Sequence, residues 1–226
     1  MSTLECFKTG TGMAIAVNIR ARYSPDRPRT LYQLDPDGRT VILLSAQDRR
    51  WSKFMYQFSH ELCHVATNYN SSLRSPEFCW LDETICELAS WTTLRTLSNR
   101  WTVDPPFSHL KEYSSSWKAY SSSIGDYLQE TIDSYKRSAD PRPLKQWFQS
   151  ELSSLRANPI QREKNAKIAL AVMPHFDEHA SGWKAATKLN TWPVSPGTSV
   201  ESFFADWVAS AREEASVLQA ILGELI

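Results

Sequence analysis

The sequence predicts an α+β fold that is mainly α-helical, with a small N-terminal sheet, and three observations support this prediction. Residues 1–50 contain short apolar segments typical of strands, together with one strong turn signal. From Trp51 onward, apolar residues recur at the 3.6-residue period of amphipathic helices. Proline and glycine residues then separate several long helical stretches.

The predicted sheet is small and mostly antiparallel. Residues 13–19 (MAIAVNI) and 40–45 (TVILLS) are rich in residues with high β-propensity. Residues 35–38 read Asp-Pro-Asp-Gly, in which proline presets φ and glycine accepts a positive φ. Because residues 31–34 (LYQL) precede this turn, we expect a β-hairpin that continues into the strand at 40–45.

Six helices are expected after the sheet, with ends marked by proline, glycine or polar residues. We expect residues 1–100, with the sheet and the first two helices, to form one part of the protein. Residues 101–226 would form a helical part that completes a cleft, and both parts could equally belong to one single domain. The helices lie near residues 51–69, 81–97, 108–138, 143–157, 160–173 and 201–224.

Composition and charge exclude several classes of function. The 25 basic residues (Lys and Arg) equal the 25 acidic residues (Asp and Glu) in number, so no nucleic-acid partner is expected. The apolar runs are far shorter than the ~20 residues that span a bilayer, and the N-terminus lacks the features of a secretory signal. The four cysteines are irregularly spaced, which is typical of reduced thiols. We therefore expect a cytoplasmic protein without a membrane partner, and leave open export by a route that needs no signal.

The segment at residues 60–64, HELCH, is the main candidate for chemistry. Residues four apart lie one turn above each other on a helix, so His60 and His64 can direct two imidazoles at one metal ion. The apolar residues of the same predicted helix point in another direction, whereas histidines of a packed core would lie among them. These apolar residues are Trp51, Met55, Phe58, Leu62, Val65 and Tyr69.

A second predicted helix carries two carboxylates at the same spacing, Glu83 and Glu87. Glu83 follows His64 by nineteen residues, enough for a turn and a returning helix that brings its carboxylate beside the imidazoles. Zinc needs a third protein ligand and, for catalysis, an open fourth position. Glu87 could accept the second ring N–H of a ligating histidine and so fix its tautomer.

HELCH at 60–64 followed by ETICE at 83–87 resembles the motif pair of the gluzincin group of zinc metallopeptidases. The resemblance covers about residues 41–95. It implies a zincin-like N-terminal part with a pair of active-site helices. It also implies that the strand at 41–44 is the edge strand along which an extended polypeptide substrate lies.

The resemblance also assigns roles to individual residues. His60, His64 and Glu83 would bind one Zn²⁺ per chain. Glu61 would be the general base that activates water, and Glu87 would support a ligating histidine. The chain is therefore predicted to be a zinc-dependent metallopeptidase that hydrolyses peptide bonds.

Two questions stay open in the sequence. A catalytically inactive zincin-like scaffold that binds a protein partner is the alternative function, although a structural site has no need of Glu61. A peptide-deformylase-like or di-iron enzyme is not supported, because the further ligand motifs that it requires are missing. The residue that stabilises the oxyanion in such peptidases cannot be chosen from one sequence. The candidates are Tyr113, Tyr120, Tyr127, Tyr135, His175 and His179.

Three further groups of potential ligands have simpler interpretations. Cys63 points away from both motif histidines on a helix, and we expect it to be buried. Cys79 and Cys86 could form a thiolate site, but their seven-residue separation fits no usual zinc spacing. His175 and His179 repeat the four-residue spacing, and we expect them at a helix start or on an exposed surface.

Overall fold

The computed structural model describes residues 2–48, 50–105 and 114–226 of the chain. The described residues form a small three-stranded sheet and are otherwise mostly helical, which confirms the predicted mainly α-helical α+β fold. None of the helices described is both long enough and apolar enough to cross a membrane.

The chain begins with a helix where the sequence analysis expected extended structure. Helix α1 spans Thr3–Thr11 and begins with a capping box: the Ser2 hydroxyl accepts from the Glu5 backbone N–H (3.3 Å), and the Glu5 carboxylate accepts from the Ser2 N–H (2.6 Å). It ends at Gly12, whose φ of 69° is in the left-handed region. Because the helix end redirects the chain, residues 13–18 lie outside any strand, and the predicted strand at 13–19 was wrong except for its last residue.

The sheet is mixed, with strands β1 (Ile19–Tyr23), β2 (Arg29–Leu31) and β3 (Thr40–Leu44) in the order β1-β3-β2. The predicted hairpin is confirmed: β2 pairs antiparallel with β3 across the 35–38 turn. The chain reverses direction twice between β1 and β3, so these two strands are parallel, and the expectation of a mostly antiparallel sheet was wrong. Since β3 is paired on both sides, the expectation that it is an edge strand was also wrong.

All six helices predicted after the sheet correspond to helices of the structure, with three differences. The predicted helix at 201–224 is two helices, residues 108–113 of another lie outside the described residues, and the short helix α7 was not predicted. The bounds are α2 Trp51–Ala66, α3 Cys79–Val103, α4 Ser114–Ser138, α5 Leu144–Ala157, α6 Arg162–Glu178, α7 Ser181–Ala186, α8 Val200–Ser210 and α9 Ala215–Leu225.

Packing explains why two helix boundaries differ from the sequence prediction. The chain turns at a short 3-10 segment, Arg212–Glu214, so that α8 and α9 pack together and each buries an apolar face. Helix α6 was expected to end before Pro174 but continues to Glu178. Phe176 is buried after the proline, and this burial offsets the hydrogen bond that proline removes.

Two compact units are present, and each is formed by two separate stretches of the chain. The first comprises Met1–Cys63 and Ala89–Ser134, and the second His64–Leu88 and Tyr135–Ile226. Fully buried side chains of the first unit include Phe7, Ile42, Leu62 and Leu94. In the second unit, Trp80 packs edge-on against Phe148 (5.2 Å between ring centroids) and Phe78 stacks on Phe203 (3.9 Å).

Candidate metal centre

Helix α2 carries the HELCH segment, as the sequence predicts, but its histidine face is not open to solvent. Gln57 on this face accepts hydrogen bonds from the backbone N–H groups of Ser45 (3.1 Å) and Ala46 (3.0 Å), which fixes the helix to the chain just after β3. Glu61 and His64 are 4% and 6% exposed. Trp51, which was expected in the apolar stripe, is instead 47% exposed.

In the first unit, Glu61 has a specific partner on strand β2. The hydroxyl of Thr30 donates to Glu61 Oε2 (3.0 Å) and lies 3.2 Å from the Glu61 carbonyl oxygen. Both residues are buried, so the hydrogen bond acts in a low-dielectric environment where it holds the carboxylate firmly. The sequence offered no signal for this pair, because the residues are 31 positions apart.

In the second unit, the two ring nitrogens of His64 face different side chains of helix α3. Nε2 lies 3.5 Å from Glu83 Oε1, and Nδ1 lies 3.3 Å from the sulfur of Cys86. Every residue from Phe78 to Leu94 is buried, so all three side chains are shielded from water. The predicted proximity of Glu83 to His64 is therefore present, whereas the contact with Cys86 was not expected.

His60 precedes His64 by one turn of α2. In the second unit, His64 and Cys86 belong to a group of potential ligand atoms that lie within 4.8 Å of one another, and Glu83 is not part of this group. Donor atoms around one tetrahedral zinc ion lie about 3.3–3.8 Å apart, which follows from bond lengths of about 2.0–2.3 Å. The separations of Glu83 and Cys86 from the two His64 nitrogens fall within this range or close to it.

One imidazole cannot direct both nitrogens at the same ion. At these contacts, Glu83 and Cys86 therefore cannot both share one ion with His64. An ion at Nε2 would be shared with Glu83 and would leave the Cys86 thiol as a hydrogen-bond partner of Nδ1. An ion at Nδ1 would be shared with Cys86. Imidazole, thiolate and carboxylate are all ligands that zinc accepts, so either set fits the metal chemically.

The remaining predicted residues lie as follows. Glu87 is 2% exposed on α3, one turn after Glu83, and its support of a histidine stays a prediction. Cys63 is fully buried, as expected. Cys79 is also buried, and its thiol donates to the carbonyl oxygen of Ser75 (3.3 Å). A sequence signal for Cys86 existed but was missed, since it follows Glu83 by three residues and so shares its helix face.

Tyr69 is a site residue that the sequence analysis placed in the apolar stripe of α2. Its ring lies against that of His64, with 4.3 Å between the centroids and 45° between the planes. Helix α2 ends at Ala66, and the turn that follows folds Tyr69 back so that its backbone N–H donates to the His64 carbonyl oxygen (3.1 Å). A helix continuing to residue 69 would have carried this ring elsewhere.

The residues predicted as candidates for stabilising the oxyanion differ in the contacts that they make. Tyr127 packs edge-on against Tyr56 (6.4 Å), whose ring in turn stacks near His60 (6.5 Å). His175 lies at the end of α6, where Nε2 is 3.5 Å from Glu224, and His179 is exposed just after that helix. These two histidines lie at a helix end rather than a helix start. Tyr113, like the nearby His109, lies outside the described residues.

A buried hydrogen-bond network fixes the start of α3 next to the site. Asn190, with φ of 61°, donates from Nδ2 to the Thr67 carbonyl oxygen (2.9 Å) and to both carboxylate oxygens of Asp82 (3.1 and 3.2 Å). In the opposite direction, Asn68 donates to the carbonyl oxygens of Thr187 (2.8 Å) and Leu189 (3.0 Å). The turns after α2 and α7 are thus joined by two asparagine side chains.

Asp82 makes the stability of the metal-free protein depend on pH. Burial raises the pKa of Asp82 to about 7 from its ordinary value of 3.8, against the opposing effects of the Asn190 amide and the positive charge of Arg74. Between these two values the folded protein holds a proton that the unfolded chain has released. The stabilisation is therefore complete below pH 4 and is lost as the pH rises through 7.

We expect the variant Asp82→Asn to show a shallower fall in unfolding free energy between pH 4 and 7 than the wild type. One proton contributes a slope of at most about 1.4 kcal/mol per pH unit. Urea unfolding of both metal-free proteins at several pH values measures the difference between the slopes. Equal slopes would show that Asp82 titrates in the same range folded and unfolded.

Comparisons of the chain with protein-family models, with curated proteins and with solved structures gave no match. The function of the site must therefore be argued from its own residues.

Proposed function

We propose that this protein is a zinc-dependent hydrolase of peptide bonds, in which His60, His64 and Glu83 bind one Zn²⁺ and Glu61 is the general base. The observation that carries the proposal is the contact between the second motif histidine on α2 and Glu83 on α3, at 3.5 Å. Two imidazoles and one carboxylate form a ligand set that leaves a fourth tetrahedral position open.

Glu83 is preferred to Cys86 as the third ligand on geometric grounds. Nδ1 is bonded to the ring carbon that carries Cβ, whereas Nε2 lies at the outer edge of the ring, clear of the helix backbone. Histidines four residues apart on a helix bring their outer nitrogens to one ion most readily. The Cys86 thiol then contacts Nδ1 of His64 and fixes the ring orientation, an outer-shell role common around metal ligands.

The proposed chemistry assigns separate tasks to the protein side chains. When bound, zinc supplies Lewis acidity that lowers the pKa of water to about 7. Glu61 takes a proton from the attacking water and delivers it to the leaving nitrogen. The Thr30 hydroxyl donates to Glu61 Oε2 and so fixes the orientation of the carboxylate. Burial of Glu61 excludes bulk water from this proton transfer.

The proposed substrate is an extended polypeptide, and strand β2 is the sheet edge that suits it. Strand β3 is internal to the sheet, whereas β2 is an edge strand. Thr30 lies on β2 and contacts Glu61, so a peptide that pairs with the free edge of β2 would lie beside the proposed base. Main-chain hydrogen bonds to a sheet edge bind extended peptides with little dependence on their sequence.

Replacing Thr30 by valine tests whether this hydroxyl positions the base. We expect Thr30→Val to lower kcat about tenfold or more, because a hydrogen bond to a charged group is lost, while KM and zinc content stay unchanged. Valine keeps the β-branched shape, so the strand should persist. Thr30→Ser restores the hydroxyl and should recover most of the rate. Unchanged kcat in Thr30→Val would show that Glu61 does not depend on this contact.

The first test of the proposal is the metal content of protein purified without a histidine tag. We expect about one zinc per chain by inductively coupled plasma mass spectrometry. Chelation should abolish cleavage of a peptide library, and added zinc should restore it. No zinc after reconstitution would refute the proposal. Zinc without cleavage would favour the alternative, a zincin-like scaffold that binds a protein partner.

A cytoplasmic location is proposed with the function. None of the four cysteines forms a disulfide, all four are buried, and burial raises the thiol pKa of two of them, Cys6 and Cys79, to about 11. Unpaired thiols of this kind are typical of a reducing compartment. Fractionation of the cells that produce the protein checks this location.

A further inference from the structure

A surface cavity of about 370 Å³ in the second unit contains one cationic side chain. Residues 72–77 line one side of it, and Pro193, Val194 and Pro196 line the other. The cation is Arg74. Its guanidinium carbon lies 3.5 Å from the centre of the Tyr69 ring, a cation–π contact that orients the side chain.

The positive charge of Arg74 acts on two buried side chains of α3, the carboxyl group of Asp82 and the thiol of Cys79, and the thiol is also a hydrogen-bond partner of Arg74. Within the part of the chain that the structure describes, no carboxylate forms an ion pair with Arg74, and its buried Nε has no hydrogen-bond partner. Asp82, the acidic residue on which the Arg74 charge acts, directs both carboxylate oxygens at Asn190. A buried guanidinium nitrogen without an acceptor is costly, and an anionic ligand would remove that cost.

The acidic residue of the cavity, Glu77, is already engaged. Its Oε1 accepts from the backbone N–H of Gly197 (2.8 Å), and its Oε2 lies 3.5 Å from the guanidinium of Arg156. The negative charge of Glu77 is therefore balanced by Arg156 and does not compete for Arg74. Arg74 is therefore the cationic residue of this cavity lining, has no ion pair with a carboxylate among the described residues, and lies beside the apolar surface of the two prolines and Val194.

This charge lies close to the proposed metal centre within the same unit. The Tyr69 ring that supports Arg74 also contacts the ring of His64, with 4.3 Å between their centroids. Arg74 and His64 thus contact the same aromatic ring, and the guanidinium carbon lies no more than about 8 Å from the centre of the His64 ring. About two or three extended peptide residues span this distance.

We propose that Arg74 binds the C-terminal carboxylate of a peptide substrate, so that the protein removes residues from the C-terminal end. This inference rests on the proposed peptidase function and specifies its substrate class. The reaction consumes one water: its oxygen joins the new carboxyl group, the peptide C–N bond breaks, and the released residue leaves as an amine that takes up the proton. The apolar wall of prolines and Val194 would contact the side chain of the terminal residue.

Binding is tested without turnover on the Glu61→Gln background. A degenerate N-acetylated pentapeptide pool is made as free acid and as C-terminal amide, and a 1:1 mixture is equilibrated with the protein by dialysis. Mass spectrometry of the bound fraction should show about 10- to 100-fold enrichment of the acid, the range expected for charge-assisted hydrogen bonds. Adding Arg74→Gln should bring the ratio of bound acid to bound amide to about one. Arg74→Lys should retain part of the enrichment of the acid.

Arg212→Gln is the matched control, since Arg212 is an exposed arginine of the same unit, on the 3-10 segment before α9. It should leave the enrichment unchanged. A ratio near one in the Glu61→Gln protein would overturn the proposal. The proposal would also be overturned if the amide peptides in the bound fraction were enriched in those with an internal Asp or Glu. The carboxylate that Arg74 binds would then belong to a side chain and not to the C-terminus.

Activity measurements separate failure of this inference from failure of the peptidase proposal. With wild-type protein, we expect the acid pool to be shortened about 10- to 100-fold faster than the amide pool, and Arg74→Gln to remove this preference while keeping zinc. Equal cleavage of both pools, unaffected by Arg74→Gln, would overturn the C-terminal site and leave the peptidase intact. Absence of zinc and of any cleavage would instead refute the peptidase, and the dialysis experiment would still decide whether Arg74 binds the carboxylate.

Discussion

Replacing Glu61 by glutamine should leave about one zinc per chain and lower peptide hydrolysis by about 10²- to 10⁴-fold, the usual contribution of a general base. Glutamine keeps the size of the side chain and can still accept the hydrogen bond from Thr30, but it cannot take a proton from water. Zinc content, kcat and KM should be measured on the same preparation. We expect the loss in kcat and little change in KM, because the carboxylate acts mainly in the transition state.

Two companion variants make the Glu61 result decisive. His64→Ala should lose both zinc and hydrolysis, since a ligand is removed. Glu213→Gln changes an exposed glutamate of the 3-10 segment before α9 and should change neither. If Glu61→Gln lost zinc as well, the carboxylate would be part of the metal site rather than the base. If it kept full activity, the proposed mechanism would be wrong.

Glu83→Ala should weaken zinc binding far more than Cys86→Ser does. Removal of an outer-shell partner costs about 10- to 100-fold in metal affinity, whereas a ligand contributes directly to the coordination bonds. Competition with a chelator of known affinity measures both losses. Cobalt(II) substitution gives an independent answer, because a thiolate ligand adds an intense sulfur-to-cobalt charge-transfer band that a carboxylate lacks. We expect no such band in the wild type.

Matched controls exist for both ligand variants. Cys79→Ser removes a second buried thiol of α3 whose contact is with Ser75, and Glu163→Ala removes an exposed carboxylate of α6. Neither should affect zinc affinity. A charge-transfer band that disappears in Cys86→Ser, with zinc retained in Glu83→Ala, would reverse the assignment. The ion would then be bound at Nδ1 of His64 together with Cys86.

Local signals account for the parts of the fold that the sequence predicts well. The Asp-Pro-Asp-Gly turn specifies a hairpin because its residues preset the backbone, and β2 and β3 pair across it. Helices α2 to α6 were predicted from the 3.6-residue period at which their apolar residues recur. The capping box of Ser2 and Glu5 is a local signal as well, and it could have predicted α1 had it been weighed against the apolar residues that follow.

Long-range contacts account for the parts that the sequence does not predict. The place of β3 at the centre of the sheet depends on a second reversal of the chain at residues 24–28 (SPDRP), and a turn signal there does not say which strands will pair. The break between α8 and α9 depends on the apolar surface that each helix buries, and a continuous apolar pattern does not reveal it. Helix α3 is buried at every residue from Cys79 to Leu94, so a polar face in the sequence did not mark a face open to solvent.

The residues of the candidate site differ in the same way: some were predictable from local spacing, and others depend on long-range contacts. By itself, the sequence determined that His60 and His64 share a helix face, because helical spacing is local. It also predicted that Glu83 returns on a second helix, and the structure brings Glu83 to His64. Only the tertiary structure brought Cys86 to Nδ1 of His64 across 22 residues and Thr30 to Glu61 across 31. It likewise placed the Tyr69 ring in contact with both His64 and Arg74. These neighbours come from packing and chain reversal, which no short-range pattern encodes.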